Sequence, residues 1–174
     1  MVLIQKQTES DPASYPTITG LSAAAAALNQ AALWKRLESW IRYRYGERSV
    51  EWIVEGPGVF EPPLHPYTID STEKWSGDSW EAVTLSAAPI GFELLGHTYR
   101  ITADVGTAIV PEAVTEAFTR LAEYLADDSQ MPRYANQRMT KITESIQVDT
   151  ERPVTWHAKA LHYSGASDLL RAYR

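Results

Sequence analysis

Val50-Glu51-Trp52-Ile53-Val54-Glu55 decides the fold, because here the apolar spacing drops from the 3.6-residue period of a helix to the 2-residue period of a strand. Val50, Trp52 and Val54 share one face, with Glu51, Ile53 and Glu55 on the other, and Gly56-Pro57-Gly58 ends the run. The same alternation returns in Tyr99-Arg-Ile-Thr-Ala-Asp-Val105, which sets Tyr99, Ile101, Ala103 and Val105 against Arg100, Thr102 and Asp104. Phe92-Glu-Leu-Leu95, just before it, is joined to it through Gly96-His97, and that spacing predicts a hairpin. Between these runs, Pro62, Pro63 and Pro66 interrupt regular structure, Tyr67 and Ile69 predict a short strand, and Trp80-Glu-Ala-Val-Thr-Leu85 follows a loop holding Trp75. Residues 49–106 are therefore expected to form a small antiparallel sheet set between helices.

On either side the spacing is helical. From Ser22, a residue suited to an N-cap, AAAAALNQAALWKRLESWIRYRYG places Leu33, Leu37, Trp40 and Ile41 at offsets 0, 4, 7 and 8 and stops at Gly46. This predicts one amphipathic helix of about six turns over 21–45. Pro111 suits the first helical position, Glu112 and Glu116 complement the positive helix start, and Val114, Phe118, Leu121 and Leu125 recur at helical offsets over 111–126. Phe118 and Leu121 are expected in the core. Residues 1–20, with Pro12, Pro16 and Gly20 and no apolar period, read as an extended arm. The spacing of 133–153 is ambiguous, since Ile142, Ile146 and Val148 match neither period well. The end of the chain predicts one or two short helical turns capped by Ser164 or Ser167. The expected fold is thus α+β: a small helical bundle over 21–132 with an inserted antiparallel β-hairpin region, an N-terminal arm over 1–20 and an extended C-terminal arm over 133–174.

Composition narrows the function. The 174 residues are one domain's worth of chain, 44% hydrophobic, which suffices for a core. The absence of cysteine excludes disulfide frameworks, cysteine-based metal and cluster sites and thiol catalysis. The opening MVLIQKQTESDP predicts neither a signal peptide nor a membrane anchor, and no apolar run approaches the ~18 residues of a membrane span. A net charge of -6 excludes binding of polyanions through bulk positive charge. That charge is uneven: residues 35–48 carry five bases and two acids, 49–132 three bases and fourteen acids, and 133–174 seven bases and four acids. Opposite fields of this kind fit the two complementary faces of a self-assembling subunit, with Arg42, Arg44, Arg48, Asp127 and Asp128 as interface candidates. Varying solvated charge along an ordinary surface is the plainer alternative.

Catalytic motifs are sparse. Gly56-Pro57-Gly58 has the wrong spacing for a phosphate loop, and its proline lacks an amide donor. His157 and His162, five apart, diverge by about 140° on a helix, and neither they nor His65 and His97 have the spacing of a metal site; no cofactor is implied. Trp75 and Trp80 beside Asp78 and Glu81 suggest a carbohydrate-active or tail-associated hydrolase working through paired carboxylates, set against rings and acids adjacent by chance. Lys35-Arg36 and Arg42-Tyr43-Arg44-Tyr45 have the composition of a nucleic-acid surface, which a packed helix with snorkelling arginines explains equally well. A monomeric protein-binding module is a third class.

Taken in order, several of these motifs resemble a known family. The strand Tyr99-Arg-Ile-Thr-Ala-Asp-Val-Gly106, the helix start Val110-Pro-Glu-Ala-Val, the helix Ala117-Phe-Thr-Arg-Leu-Ala-Glu-Tyr-Leu125 and the closing Ser164-Gly-Ala-Ser-Asp-Leu-Leu-Arg-Ala-Tyr-Arg174 are similar to those of the head-to-tail adaptor (connector) proteins of tailed bacteriophages and phage-derived gene transfer agents. The likeness covers roughly residues 21–174. It implies a non-catalytic virion protein, made in the bacterial host cytoplasm and sited in the neck between capsid and tail. Its copies would form a ring of about twelve beneath the portal protein, meeting a tail terminator or stopper protein, with DNA crossing the lumen without sequence-specific contact. It also implies, for Leu169, Leu170, Arg171, Tyr173 and Arg174, a portal-docking role, the alternative being that this closing segment packs on its own domain.

Overall fold

The computed structural model describes residues 1–127, 137–143, 146–152 and 157–174. In chain order the elements are strand β1 (Leu3–Glu9), helices α1 (Ala23–Ala26) and α2 (Gln30–Glu38), strands β2 (Arg48–Glu55), β3 (Gly58–Phe60), β4 (Tyr67–Trp75), β5 (Trp80–Ala82), β6 (Ser86–Ala87), β7 (Phe92–Leu94) and β8 (Thr98–Val105), helix α3 (Glu112–Ala126), strands β9 (Gln137–Thr143) and β10 (Ile146–Arg152), helices α4 (Ala160–Tyr163) and α5 (Ala166–Leu169), and a closing 3-10 turn over Arg171–Tyr173. They gather into two compact units: residues 1–16 with 41–110, and 17–40 with 111–174.

The first unit is built on a five-stranded antiparallel sheet in the order β1-β2-β8-β4-β5, with a three-stranded sheet β3-β7-β6. Val50, Trp52 and Val54 of β2 and Tyr99, Ile101, Ala103 and Val105 of β8 are all buried, as their alternation predicts, and cluster with Phe60, Leu64 and Leu94. Two glycines allow a close backbone approach at one end of the sheet. Gly106 has φ +108, and a Cβ on it would stand 2.6 Å from the Gly46 carbonyl oxygen; Gly46 itself has φ +95.

The second unit is helical around α3. Its buried face, Val114, Ala117, Phe118, Leu121, Ala122 and Leu125, follows the predicted period, and α1, α2, α4 and α5 all pack on it. Trp34 of α2 meets Phe118 with ring centroids 4.7 Å apart. Ser22 is the N-cap of α1, accepting from the Ala25 amide at 3.2 Å. Its own amide and hydroxyl donate to the two Glu123 carboxylate oxygens, each at 2.7 Å. Those hydrogen bonds hold the Glu123 carboxyl below its usual range, since both favour the charged form. Residues 137–143 and 146–152 pair as antiparallel strands, β9 with β10, in the segment whose spacing was ambiguous.

A small helical bundle with an inserted hairpin region and an extended C-terminal arm is not what the chain forms: it is sheet-rich, and the supposed insertion is the larger share of the first unit. Four particulars account for the difference. Within the expected extended arm, residues 3–9 are an edge strand of the sheet, paired with β2 from Leu3↔Glu55 to Glu9↔Val50; a strand exposed on both faces has no burial to impose alternation, so its sequence shows no period. The predicted six-turn helix is two short ones, interrupted at Ala27–Asn29, where the Asn29 side chain caps α2, and ended at Ser39. Beyond it, Ile41, Tyr43 and Tyr45 follow period 2, and Tyr43 and Tyr45 form isolated parallel bridges to His65 and Thr107, with Arg44 N–H donating to the His65 carbonyl at 2.8 Å and Gly46 N–H to that of Thr107 at 3.1 Å. Aromatic and β-branched residues are indifferent helix formers, so those tertiary bonds prevail. Third, β7 and β8 are not a hairpin: β7 pairs with β3 and β6, β8 with β2 and β4. Finally, the C-terminal segment is not an extended arm: residues 157–174 form short helical turns, as their sequence predicts, but these pack against α3.

Candidate functional site

Of the arginines proposed for subunit contacts, two are engaged within the first unit. Arg44 Nε donates to Glu9 Oε1 at 2.7 Å and Nη2 to Oε2 at 3.3 Å, a bidentate pair. Arg48, buried, donates from Nη1 to the same Glu9 Oε1 at 3.0 Å, and from Nε and Nη2 to the carbonyls of Gly46 and Tyr45. Its guanidinium carbon lies 5.3 Å from the Tyr15 ring centroid. Arg42 is more open: it donates to the Pro63 carbonyl at 3.0 Å and stands 3.5 Å from Glu61, each side chain more than 40% exposed. Asp127 is the exposed C-cap residue of α3, its amide bonded to the Glu123 carbonyl, and Asp128 lies outside the described residues. The basic aromatic run is divided, Lys35 and Arg36 belonging to the second unit and Arg42–Tyr45 to the first.

Next to Arg42 is a feature that the sequence reading did not single out. Tyr43, His65 and Tyr67 form a row of half-buried rings with centroids 5.7 and 5.6 Å apart. His65 Nε2 lies 3.9 Å from Glu61. Desolvation and then the Arg42 charge push the His65 pKa below 6.5, and Glu61 opposes them. The signal for this row was present in His65-Pro-Tyr67, but its partner Tyr43 had been assigned to a helix. Since the unfolded chain binds the proton more readily, the folded state loses stability as pH falls below about 6.5 and on through the lowered folded value. We expect His65→Gln to flatten this part of the stability–pH curve in urea titrations; an unchanged slope between pH 7 and 5 would show that His65 contributes nothing to it.

The other nominated chemistry is used structurally. Trp75 and Trp80 are directly opposed across β4 and β5, their rings 5.2 Å apart and edge-on, and Arg100 stacks 4.8 Å over Trp80 while pairing with Glu73 at 2.5 Å. Rings committed to each other and to an arginine offer no paired flat platform to a sugar. Asp78 sits in the connecting turn and Glu81 reaches Lys74 at 3.8 Å. A cavity of about 300 Å³ in the first unit is lined by residues 13–16, Gly46, Glu47 and Ala108, with no histidine and a single carboxylate. Among the described residues no group of three or more His, Asp or Glu side chains is placed to hold a metal ion, and no helix is long and apolar enough to cross a membrane.

The C-terminal candidates separate. Leu170 is fully buried, Leu169 and Tyr173 are half-buried, and Arg171 and Arg174 are exposed. Arg171 pairs with Asp168 at 3.1 Å. Arg174 lies 4.2 Å over the Trp40 ring, which His162 also meets, edge-on at 4.9 Å. Exposed apolar side chains include Val59 and Leu95, beside β3 and β7, and Ile109 in the approach to α3. No family model, curated protein or solved structure matches this chain.

Proposed function

We propose that this chain is a structural virion protein, the head-to-tail adaptor of a tailed phage or a phage-derived gene transfer agent. Its copies form a ring of about twelve between the portal protein and a tail terminator or stopper protein. It is made in the bacterial host cytoplasm and resides in the virion neck, and it performs no catalysis. What carries the reading is the ordered series of motifs: 99–106 on β8 and the glycine that follows it, 110–114 at the start of α3, 117–125 along the same helix, and 164–174 on the closing turns. Charge agrees with it. Glu55, Glu61, Asp70, Asp78, Glu81, Glu93 and Asp104 are exposed on the first unit, and a surface of carboxylates repels passing phosphate instead of gripping it.

Subunit contacts of such a ring are largely polar and individually weak, so the portal supplies the template and the local concentration. In size-exclusion chromatography with light scattering, the isolated protein is therefore expected to run as a monomer or a weak oligomer, and to become a ring when mixed with portal protein. A stable ring at low concentration in high salt would contradict the polar-contact account. Failure to bind the portal under any condition would overturn the adaptor reading.

A further inference from the structure

Residues 1–16 belong to the first unit, yet the chain joins them to the rest of that unit only by passing through residues 17–40 of the second. Everything that receives them is therefore distant in sequence. Strand β1 pairs along β2. The Met1 amine donates to the Pro57 carbonyl at 2.9 Å, Gln5 Nε2 to Glu55 at 2.7 Å, and Trp52 Nε1 to Gln7 Oε1 at 3.0 Å. Glu9 meets Arg44 and Arg48, whose side chains are 12% and 4% exposed. The socket is thus an edge of backbone donors and acceptors with two nearly buried guanidinium groups at one end, and what fits it is an extended segment ending in a carboxylate. Apart from half-buried Glu9, every residue of β1 is exposed, Leu3 at 50% and Ile4 at 39%. Val2, just before β1, is half-buried against the core of the sheet, so the segment is held by its ladder, its polar anchors and that apolar contact with the socket.

None of these contacts requires that segment and socket come from one chain. The connection Thr17-Ile-Thr-Gly-Leu21 begins after Pro16 and contains Gly20 at φ +84, with nothing within 4 Å of the Cβ that another residue would carry there, so packing does not impose the bend. An empty socket would leave Arg48 buried without its carboxylate, an expensive state. Every socket must therefore be filled, and a closed head-to-tail ring meets that condition when each copy gives its segment to the next.

We infer that residues 1–16 are an exchangeable arm, and that in the assembled state β1 of one copy occupies the β2 edge of a neighbouring copy, its Glu9 neutralising the neighbour's Arg44 and Arg48. This rests on the ring proposed above. Exchange preserves every contact, so the intermolecular form is favoured by the high local concentration of neighbours in a ring and the intramolecular form by dilution. The other free edge of the sheet, β5, is three residues long, and β1 carries a bulge between Ile4 and Lys6 with a lysine in mid-strand, so plain edge-to-edge pairing of copies is disfavoured.

Since the protein has no cysteine, the register provides a direct test. Thr8 and Glu51 are cross-strand partners, as are Lys6 and Ile53. The double variants Thr8→Cys/Glu51→Cys and Lys6→Cys/Ile53→Cys are each oxidised, or bridged with a short bismaleimide, once as dilute protein and once after assembly, alone at high concentration or on portal protein. The links are then read on denaturing non-reducing gels, with light scattering reporting the assembly. Expected is an intrachain link in the dilute sample, replaced after assembly by a ladder of covalently joined chains, with loss of most of the intrachain species. A ring in which both variants link only within chains overturns the exchange and leaves the adaptor reading intact. Interchain dimers without any ring support the exchange and count against the ring. A chain that stays monomeric throughout, or links in neither way, overturns the inference.

Discussion

Replacing Trp52 with alanine is expected to cost about 3–5 kcal/mol of unfolding free energy, enough to lower the melting temperature by roughly 10 °C in a chain of this size. Trp52 is wholly buried, lies between Gln7 of β1 and Ile101 of β8 in the sheet register, and meets Phe60 edge-on at 5.9 Å. Alanine would leave a void bounded by strands on both sides, which a ladder fixed by hydrogen bonds can close only in part. It would also remove the indole donor that Gln7 accepts at 3.0 Å, loosening β1 at its middle. Trp75→Ala is the control. That ring is 39% exposed at the β4–β5 edge and its loss is expected to cost about 0.5–1 kcal/mol, the worth of a cross-strand aromatic pair. Denaturant titration of the two variants separates the cases, and equal midpoints would mean that Trp52 does not hold the sheet together.

What could be read in the sequence divides along burial. β2, β8 and α3 each bury one face, so burial wrote a period of 2 or 3.6 into their residues, and Val50, Trp52, Ile101, Phe118 and Leu121 stand where that period puts them. β1 buries no face and left no trace; its place comes from backbone pairing and from Glu9, whose partners lie 35 and 39 positions away. Residues 40–45 misled differently. Trp40 and Ile41 fall at offsets that extend the helical series from Leu33, whereas Ile41, Tyr43 and Tyr45 fit a strand equally well, and bonds to His65 and Thr107 settle the matter. Short apolar runs satisfy both periods, so long-range partners decide between them. The nominated site was legible as composition but not as geometry. Arg44 and Arg48 read as free positive charge because a lone glutamate in an unpatterned segment gives no sign that it will neutralise them both.

The closing segment can be tested for two roles at once, because its residues point to different expected effects. Leu170→Ala should cost about 2–5 kcal/mol, since the side chain is fully buried at the end of α5, which packs on α3. Deleting residues 167–174 removes that anchor and is expected to unfold much of the second unit, so loss of portal binding in that truncation would not identify a docking element. Arg171→Ala, by contrast, breaks an ion pair whose side chains are 79% and 71% exposed, and is expected to cost less than about 1 kcal/mol. Arg174→Ala gives up its stack on Trp40, at a similarly small cost for an exposed cation. The double variant Arg171→Ala/Arg174→Ala should therefore keep its melting temperature within a few degrees of the parent and still lose attachment to portal-bearing heads, if these guanidinium groups meet carboxylates there. Undiminished attachment by that folded variant would leave the C-terminal turns as part of the core alone and move the docking surface to another part of the chain.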